Sequence, residues 1–231
     1  MLMADDPGLV GCGCRIRYFP EAEVTDGGRR YEAWLNDAVS SEQIARDIFV
    51  ECPLAHPTFF LRSDAVEAVG GYRDVAWAED YDLVLRLWEE GGRFAKVPRV
   101  LLQWRERTDR LSRTHGRYAL EAFVRCRVHF LARTLLREKT GAVIWGAGPV
   151  GKGFSRALGE LAVPVRAFVE VDRRKIGQVI HGAPVLDAPE GVEIRDALHL
   201  AAVGQPGARQ ELREILRAAG LREMRDFVAV A

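Results

Sequence analysis

Two adjacent acids, Glu79 and Asp80, are the residues of this chain best placed for acid–base chemistry. They follow the glycine pair at 70–71 and precede apolar residues at the helical spacing i, i+3, i+4 and i+7, namely Tyr81, Val84, Leu85 and Trp88. The pair is therefore predicted in the first turn of a helix, where the unpaired N–H groups favour the charged carboxylate. An ionised carboxylate within reach of a hydroxyl can act as a general base. The same position also suits an acid that only stabilises its helix, and the pair alone does not decide between the two interpretations.

A glycine-rich segment between residues 146 and 151 is the second candidate site. It follows the apolar run 142–145 and opens a predicted helix over 149–161, and the next predicted strand, 165–169, ends at two acids. This order is that of a dinucleotide-binding fold, in which glycines let a phosphate approach a helix N-terminus and an acid bonds a ribose hydroxyl. The residues that would hold a nucleotide or NAD are Gly146, Gly148, Gly151, Glu170 and Asp172. A purely structural or docking role for the segment is the alternative.

The periodicity around these sites predicts an α/β protein of two domains, 1–138 and 139–231. In the first domain we predict strands over 10–18, 58–62 and 94–104 and helices over 30–39, 41–48, 64–69, from 79 onward, and 114–137. In the second domain we predict strands over 142–145, 165–169, 198–203 and 227–230 and helices over 149–161 and 208–219. The boundary is predicted at the Lys139–Gly141 segment, where the first long helix ends.

Composition limits the classes of partner and compartment. The chain has 231 residues, a formal net charge of zero and 48% hydrophobic residues, which predicts a real core and argues against a nucleic-acid partner. The four cysteines lack the spacing of a metal site and are interpreted as reduced thiols, and no metal ligands are predicted. The sequence has no signal peptide and no apolar run of about 18 residues, so we predict a cytoplasmic protein without an integral membrane segment.

Several blocks within residues 9–135 occur in the same order as in the acceptor half of family 2 glycosyltransferases, and each closely resembles its counterpart there. These blocks are 30–36, 53–62, 70–74, 78–87, 97–105 and 111–113. The resemblance implies a partial GT-A-like mixed sheet with helices. It also implies an inverting transfer of a sugar from a nucleotide-diphosphate donor to a hydroxyl acceptor, the two partners expected for this chain.

The resemblance also implies roles for individual residues. Asp80 matches the general base of the family, and Glu79 would orient or support it. An open cleft is expected to be lined by Asp80 with Tyr72, Arg73 and Trp77, and His56 would either support the site or contact the acceptor. The residues expected near the donor pyrophosphate are Arg105, Arg110, Ser112 and Arg113, because guanidinium groups suit phosphate oxygens.

The chain departs from the family in its metal site. A Mg²⁺ or Mn²⁺ ion is expected for the full-length family, held by a D-x-D motif in the donor-binding half, and we find no such motif before residue 53. Asp80 and Asp82 do not replace it, because helical residues two apart point about 200° away from each other. We interpret the donor-binding half as absent, which is consistent with a truncated gene, an excised piece or an acceptor half kept for another use. The isolated chain is expected to activate a nucleotide sugar poorly.

The blocks at 168–172, 175–177 and 182–186 resemble small Rossmann-like domains appended to some bacterial sugar-modifying enzymes. In such domains the glycine motif need not hold a redox cofactor. Two alternatives to a glycosyltransferase therefore stand: a nucleotide- or NAD(P)-binding module or oxidoreductase built on the second domain, and a non-catalytic assembly module. The donor sugar, the acceptor and the oligomeric state, including a homo-oligomer, are left open.

Overall fold

The computed structural model describes residues 2–107 and 115–231. The chain divides into two compact units, Met1–Phe123 and Val124–Ala231. Each unit has its own sheet flanked by helices, so the fold is α/β as predicted.

The first unit contains a three-stranded sheet. Its strands are β1 (Leu9–Phe19), β2 (Phe60–Leu61) and β3 (Arg93–Arg105). Its helices are α1 (Leu2–Asp5), α2 (Asp26–Asp37), α3 (Ser41–Asp47), α4 (Ser63–Ala68) and α5 (Glu79–Glu89). Three short 3₁₀ helices are Glu21–Glu23, His56–Thr58 and Gly116–Tyr118, and the longer helix α6 (Leu120–Arg133) follows the last of them.

The middle strand of this sheet is β1, which runs parallel to β3 and antiparallel to β2. Strand β2 pairs only with Gly11 and Cys12. Farther along β1, side chains of α2 occupy the free edge: Asn36 accepts from the Ile16 N–H at 2.8 Å and donates to the Ile16 carbonyl at 2.9 Å. The backbone groups of this strand edge are thus satisfied by a helix side chain instead of a fourth strand.

Helix α5, whose first turn carries the first candidate site, is largely buried. The buried residues of α5 are Tyr81, Asp82, Leu83, Val84, Leu85, Arg86 and Leu87. The helix is followed by Gly91 at φ +83°, a left-handed conformation that favours glycine. The apolar spacing predicted this helix, and its burial fixes the direction of its first turn.

The second unit contains a six-stranded sheet in the order β6-β7-β5-β4-β8-β9. The strands are β4 (Ala142–Trp145), β5 (Val165–Val169), β6 (Val179–Ile180), β7 (Ala183–Leu186), β8 (Leu198–Ala201) and β9 (Phe227–Ala229). The helices are α7 (Pro149–Glu160), α8 (Ala188–Val192) and α9 (Ala208–Ala218). All neighbouring strands are parallel except β6 and β7. The chain leaves β4 towards β5 on one side and returns to β8 on the other, which is the topology of a Rossmann-like sheet.

Two predicted elements differ from the structure. The strand predicted over 58–62 is shorter, because Pro57 and Thr58 belong to a 3₁₀ helix and only Phe60 and Leu61 pair with β1. The long helix predicted over 114–137 is Leu120–Arg133, and Thr114 lies outside the described residues.

The two compact units also part at a different place from the predicted boundary at 138. The reason is packing within the second unit, where Arg127 of α6 donates to the Val230 carbonyl at 2.6 Å and its guanidinium lies 5.3 Å from the centre of the Phe154 ring. The part of α6 from Val124 onward therefore belongs to the second unit.

None of the helices in the described parts of the chain is long and apolar enough to cross a membrane.

Candidate functional site

A cavity of about 700 Å³ in the first unit contains the predicted general base. Its walls come from β1, α2, α5, the end of β3 and the 3₁₀ helices, and the side chains used below are Tyr18, Tyr31, His56, Asp80, Trp104 and Tyr118. The cavity combines acidic, imidazole and aromatic groups. It is large enough for a sugar-sized ligand.

Asp80 presents one carboxylate oxygen to this cavity. Its Oδ1 accepts from the Tyr81 N–H at 2.8 Å, and its Oδ2 lies 3.6 Å from Nδ1 of His56. Burial raises the pKa of the Asp80 carboxyl above its usual value of 3.8, His56 opposes this rise, and Glu79 adds to it. A raised pKa brings a carboxylate closer to the range in which a general base works well at neutral pH.

His56 connects Asp80 to Tyr72. The Nε2 atom of His56 lies 2.8 Å from the Tyr72 hydroxyl, while Nδ1 faces Asp80. His56 is the first residue of the 3₁₀ helix His56–Thr58, in which the Thr58 hydroxyl donates to the Ala55 carbonyl at 2.7 Å. The contact of Nε2 with Tyr72 therefore orients the imidazole so that Nδ1 faces Asp80.

Glu79 is held on the same side of α5 by Tyr118. The Tyr118 hydroxyl donates to Oε2 of Glu79 at 2.9 Å. Burial and this hydrogen bond raise the pKa of Tyr118 to about 12, so the phenol stays a donor at neutral pH. Tyr118 thus fixes one oxygen of Glu79, and His56 lies beside one oxygen of Asp80.

Asp82 has a different role from Asp80. Its Oδ1 accepts from Trp77 Nε1 at 3.0 Å, and its Oδ2 pairs with Arg86 Nε at 2.7 Å. Arg86 also donates to the carbonyls of Val69 and Gly71. Asp82 therefore stabilises the turn before α5.

The cleft is not lined by all of the residues that the resemblance implied. Arg73 donates to the Val69 carbonyl at 2.9 Å and Trp77 donates to Asp82, so both belong to the turn before α5 and not to the cavity wall. Tyr72 reaches the site through His56. Arg105 lies at the end of β3 with its guanidinium 5.2 Å from the centre of the Phe19 ring. Arg110, Ser112 and Arg113 lie outside the described residues.

An aromatic wall of the cavity was missed by the sequence analysis. Tyr18 and Trp104 are register partners on β1 and β3, and their rings stack with centres 5.4 Å apart. Tyr31 on α2 lines the same cavity. Aromatic residues at corresponding positions of two predicted strands were the available signal, but their pairing depends on register shifts between β1 and β3 that no local pattern reveals.

The glycine segment of the second unit lies between β4 and α7, at the carboxyl end of the central strand. Gly146 has φ +103°, and a Cβ at Gly151 would lie 1.9 Å from the Gly146 carbonyl oxygen. The turn requires glycine at position 146, and the close approach of α7 requires glycine at position 151. A Cβ at Gly148, in contrast, would meet nothing within 4 Å.

Glu170 closes one side of this segment. Its Oε1 accepts from the Ala147 N–H and from Lys175 Nζ, each at 2.8 Å. Burial acts to raise the pKa of this carboxyl, but these donors outweigh it and the pKa is lowered, so Glu170 is charged at neutral pH. Asp172 is instead paired with the exposed guanidinium of Arg174 at 2.9 Å. Of the two predicted acids, Glu170 is the one in contact with the glycine segment.

Comparison with family models gives no match, and comparison with curated proteins gives none either. Three solved structures of RSP, a Rex-family repressor, are similar in part, each with a TM-score of 0.35. RSP alone is 14% identical over 46% of this chain and 59% of that chain, and RSP with beta-NADH is 13% identical over 47% and 62%. RSP with beta-NAD+ and operator DNA is 14% identical over 72% and 71%. The chain spans about three fifths of the length of RSP in the first two structures. Similarity at this level does not show a function for this chain.

The comparison does correct one sequence-based exclusion. The zero net charge was taken to exclude a nucleic-acid partner, yet RSP, a protein similar in part to this chain, is solved in complex with operator DNA. Net charge is a sum over the whole chain, whereas binding to nucleic acid depends on the local distribution of charge, so a net charge of zero does not by itself exclude such a partner.

Proposed function

We propose that each unit carries a function of its own: the second binds a nucleotide at its glycine segment, and the first carries the base of a sugar transfer. The two proposals rest on different residues and are tested separately.

The open space at Gly148 is the observation that carries the nucleotide proposal. Gly146 and Gly151 have packing reasons to be glycine, but a Cβ at Gly148 would meet nothing within 4 Å in the described part of the chain. It has an extended backbone that any residue adopts and immediately precedes the first turn of α7. A glycine without an internal reason at a helix N-terminus leaves room for a phosphate to approach the backbone N–H groups.

Glu170 fits the ribose side of such a nucleotide. Its Oε1 accepts from Ala147 and Lys175, whereas Oε2 accepts a longer bond of 3.3 Å from the Val171 N–H. A charged carboxylate oxygen with spare acceptor capacity suits a sugar hydroxyl. NAD or a nucleotide diphosphate would be held by Gly148, the first turn of α7 and Glu170, and its chemistry, if any, would be that of the cofactor.

Calorimetric titration of the full chain with NAD⁺, NADH and nucleoside diphosphates tests this proposal. Gly148→Val should abolish binding, and Gly159→Val should leave it unchanged. Gly159 is the matched control, because it lies at the other end of α7 and its Cβ would also meet open space. Binding that persists in Gly148→Val, or no binding by the unmodified chain, would contradict the proposal.

The sugar-transfer proposal rests on the position of Asp80 Oδ2 in the cavity beside His56. The acceptor hydroxyl would give its proton to Asp80 Oδ2 as its oxygen forms a bond to the anomeric carbon. The bond from that carbon to the nucleotide diphosphate breaks on the opposite face, and the diphosphate leaves with the electron pair. His56 favours the charged carboxylate before the transfer.

The aromatic wall supports a carbohydrate acceptor. Pyranose rings present apolar C–H faces that pack on aromatic side chains, while their hydroxyls need polar partners. Tyr18, Tyr31 and Trp104 supply apolar surface, and Asp80 supplies an acceptor in the same cavity.

The metal site of the family does not fit the acids near the start of the described chain. Asp6 is paired with Arg93 at 2.7 Å, and Asp26 begins α2. No step of the proposed transfer is therefore assigned to a metal ion.

Transfer can be measured by mass spectrometry, with stoichiometric amounts of the full chain, a panel of nucleotide-diphosphate sugars and saccharide acceptors. Asp80→Asn should reduce transfer by about 10²- to 10⁴-fold, the range of general-base catalysis. Asp64→Asn, at the start of α4 and exposed, is the matched control and should keep full transfer. Equal rates in Asp80→Asn and the unmodified chain, or no transfer with any pair, would overturn this second proposal and leave the nucleotide proposal intact.

A further inference from the structure

The first turn of α5 and the 3₁₀ helix at His56 bring three potential metal ligands together. One donor atom each from His56, Glu79 and Asp80 lie within 4.8 Å of one another. From this arrangement we infer that these residues form a site for a divalent transition-metal ion of the zinc type. The binding itself does not depend on the sugar-transfer proposal.

The distance between His56 and Asp80 is close to that of two ligands on one ion. Zinc binds histidine nitrogen and carboxylate oxygen at about 2.0 to 2.2 Å, so two ligands of a tetrahedral ion are about 3.4 Å apart. Nδ1 of His56 and Oδ2 of Asp80 are 3.6 Å apart. This separation is within about 0.2 Å of the distance expected for two ligands of a tetrahedral zinc ion.

Each ligand is oriented by a second contact that leaves a donor atom available. Tyr72 contacts Nε2 of His56, which leaves Nδ1 towards the site. The Tyr81 N–H occupies Oδ1 of Asp80, which leaves Oδ2. Tyr118 occupies Oε2 of Glu79, which leaves Oε1 with its own lone pairs. Metal ligands in proteins are commonly fixed by outer hydrogen bonds of this kind.

The chemistry of the donors selects the class of ion. One imidazole with two carboxylates suits zinc and neighbouring transition metals, whereas calcium and magnesium prefer oxygen ligands alone. Two of the three ligands, His56 and Asp80, line the cavity, so an ion bound by three protein ligands would have a fourth position open to water or a hydroxyl group there. A dication would also compensate the charge of the two adjacent carboxylates.

A consequence for function does rest on the sugar-transfer proposal. An ion bound through Asp80 Oδ2 takes the lone pair that would accept the acceptor proton. Zinc should therefore inhibit transfer, and removal of zinc by a chelator should restore it.

The direct test measures metal binding by the full chain without any substrate. The chain is stripped of metal, titrated with Zn²⁺ in competition with a chromophoric chelator, and titrated separately with Co²⁺ to record the visible absorption of a coordinated ion. One ion per chain is expected. His56→Gln and Glu79→Gln should each weaken Zn²⁺ binding by about tenfold or more, and Tyr118→Phe by about 10- to 100-fold through the loss of an outer hydrogen bond.

Two control variants keep the result specific. His129→Ala on α6 and Glu67→Gln on α4 remove a histidine and an acid from other parts of the chain and should leave Zn²⁺ affinity unchanged. Circular dichroism of each variant checks the fold, and the isosteric Glu79→Gln keeps the Tyr118 hydrogen bond. Unchanged affinity in both His56→Gln and Glu79→Gln, or no Zn²⁺ binding by the unmodified chain, would overturn the ion site. A failure of transfer at every zinc concentration would contradict only the sugar-transfer proposal.

Discussion

The Nε atom of Arg86 lies 2.7 Å from Oδ2 of Asp82, and both side chains are only 5% exposed. The remaining nitrogens of Arg86 donate to the carbonyls of Val69 at 2.6 Å and Gly71 at 2.7 Å. One buried guanidinium thus connects the glycine turn to helix α5, whose second residue is the candidate base. The position of Asp80 in its cavity depends on a charge pair that does not touch the cavity.

Arg86→Ala should destabilise the first unit by about 3 to 5 kcal/mol, because it leaves the Asp82 carboxylate buried without its cation. Denaturant unfolding followed by circular dichroism measures this loss. Arg29→Ala is a suitable control, since it removes an exposed arginine that lies 3.6 Å from Glu21 and such pairs contribute little. Equal midpoints for the two variants would show that Arg86 does not support the turn.

A buried lysine in the same unit predicts a rise of stability at alkaline pH. Lys96 is 1% exposed and donates to the Leu35 carbonyl, and burial lowers its pKa from 10.5 to about 8. Between these two values the unfolded chain binds a proton that the folded chain does not, so the free energy of unfolding rises with pH. The full rise attributable to this group is about 3 kcal/mol.

Lys96→Met removes the titrating group, and its free energy of unfolding should lack this rise. Denaturant titrations of both proteins at pH 7, 8, 9 and 10 provide the comparison. The difference between the two proteins isolates Lys96 from other groups that titrate in the same range. Parallel pH profiles would contradict the assignment.

The elements with strong local patterns could be predicted from the sequence. The apolar spacing after Asp80 predicted helix α5, because apolar residues recur at the helical period where a helix packs against a core. The apolar run before Gly146 predicted β4, because all four residues of that strand are buried. Strands β6 and β7 were not predicted as strands. They are short, and their pairing depends on neighbours in the sheet that local sequence does not contain.

The residues of the first candidate site could be predicted from the sequence only in part. The sequence singled out Asp80, Glu79 and His56, and the structure brings them to one cavity or its edge. It could not indicate Tyr118, whose contact with Glu79 joins residues 39 positions apart. Nor could it separate Trp77 from the cavity, because the direction of its indole is set by the buried Asp82.

Asp80 should lower the stability of the folded chain at neutral pH. Its pKa is raised by burial, so the folded state holds the proton to a higher pH than the unfolded state does. The contribution of this group to stability is therefore fully present below the unfolded value of 3.8 and is lost as the pH rises through the folded pKa. Functional acids often destabilise the fold in this way.

Asp80→Asn should accordingly raise the melting temperature at pH 7, and the gain should shrink as the pH falls towards 3.8. The new amide can still accept from the Tyr81 N–H, so the helix start keeps its hydrogen bond. Differential scanning fluorimetry across pH 4 to 8 measures the difference. Asp64→Asn should lack this gain, because an exposed carboxylate loses little hydration on folding. A lower melting temperature for Asp80→Asn at pH 7 would contradict the assigned cause.

Two glycines of α7 should respond in opposite directions to the same substitution. Gly151→Ala would put a methyl group 1.9 Å from the Gly146 carbonyl oxygen, so β4 and α7 must separate, at a cost typical of overpacking, about 1 to 3 kcal/mol. Gly159→Ala meets open space within the helix and should stabilise it by up to about 1 kcal/mol, because alanine favours helix more than glycine does. Denaturant unfolding of the two variants measures both changes. A stabilising Gly151→Ala would mean that α7 does not approach β4 as closely as the 1.9 Å distance requires, and it would contradict the assignment of Gly151 to packing.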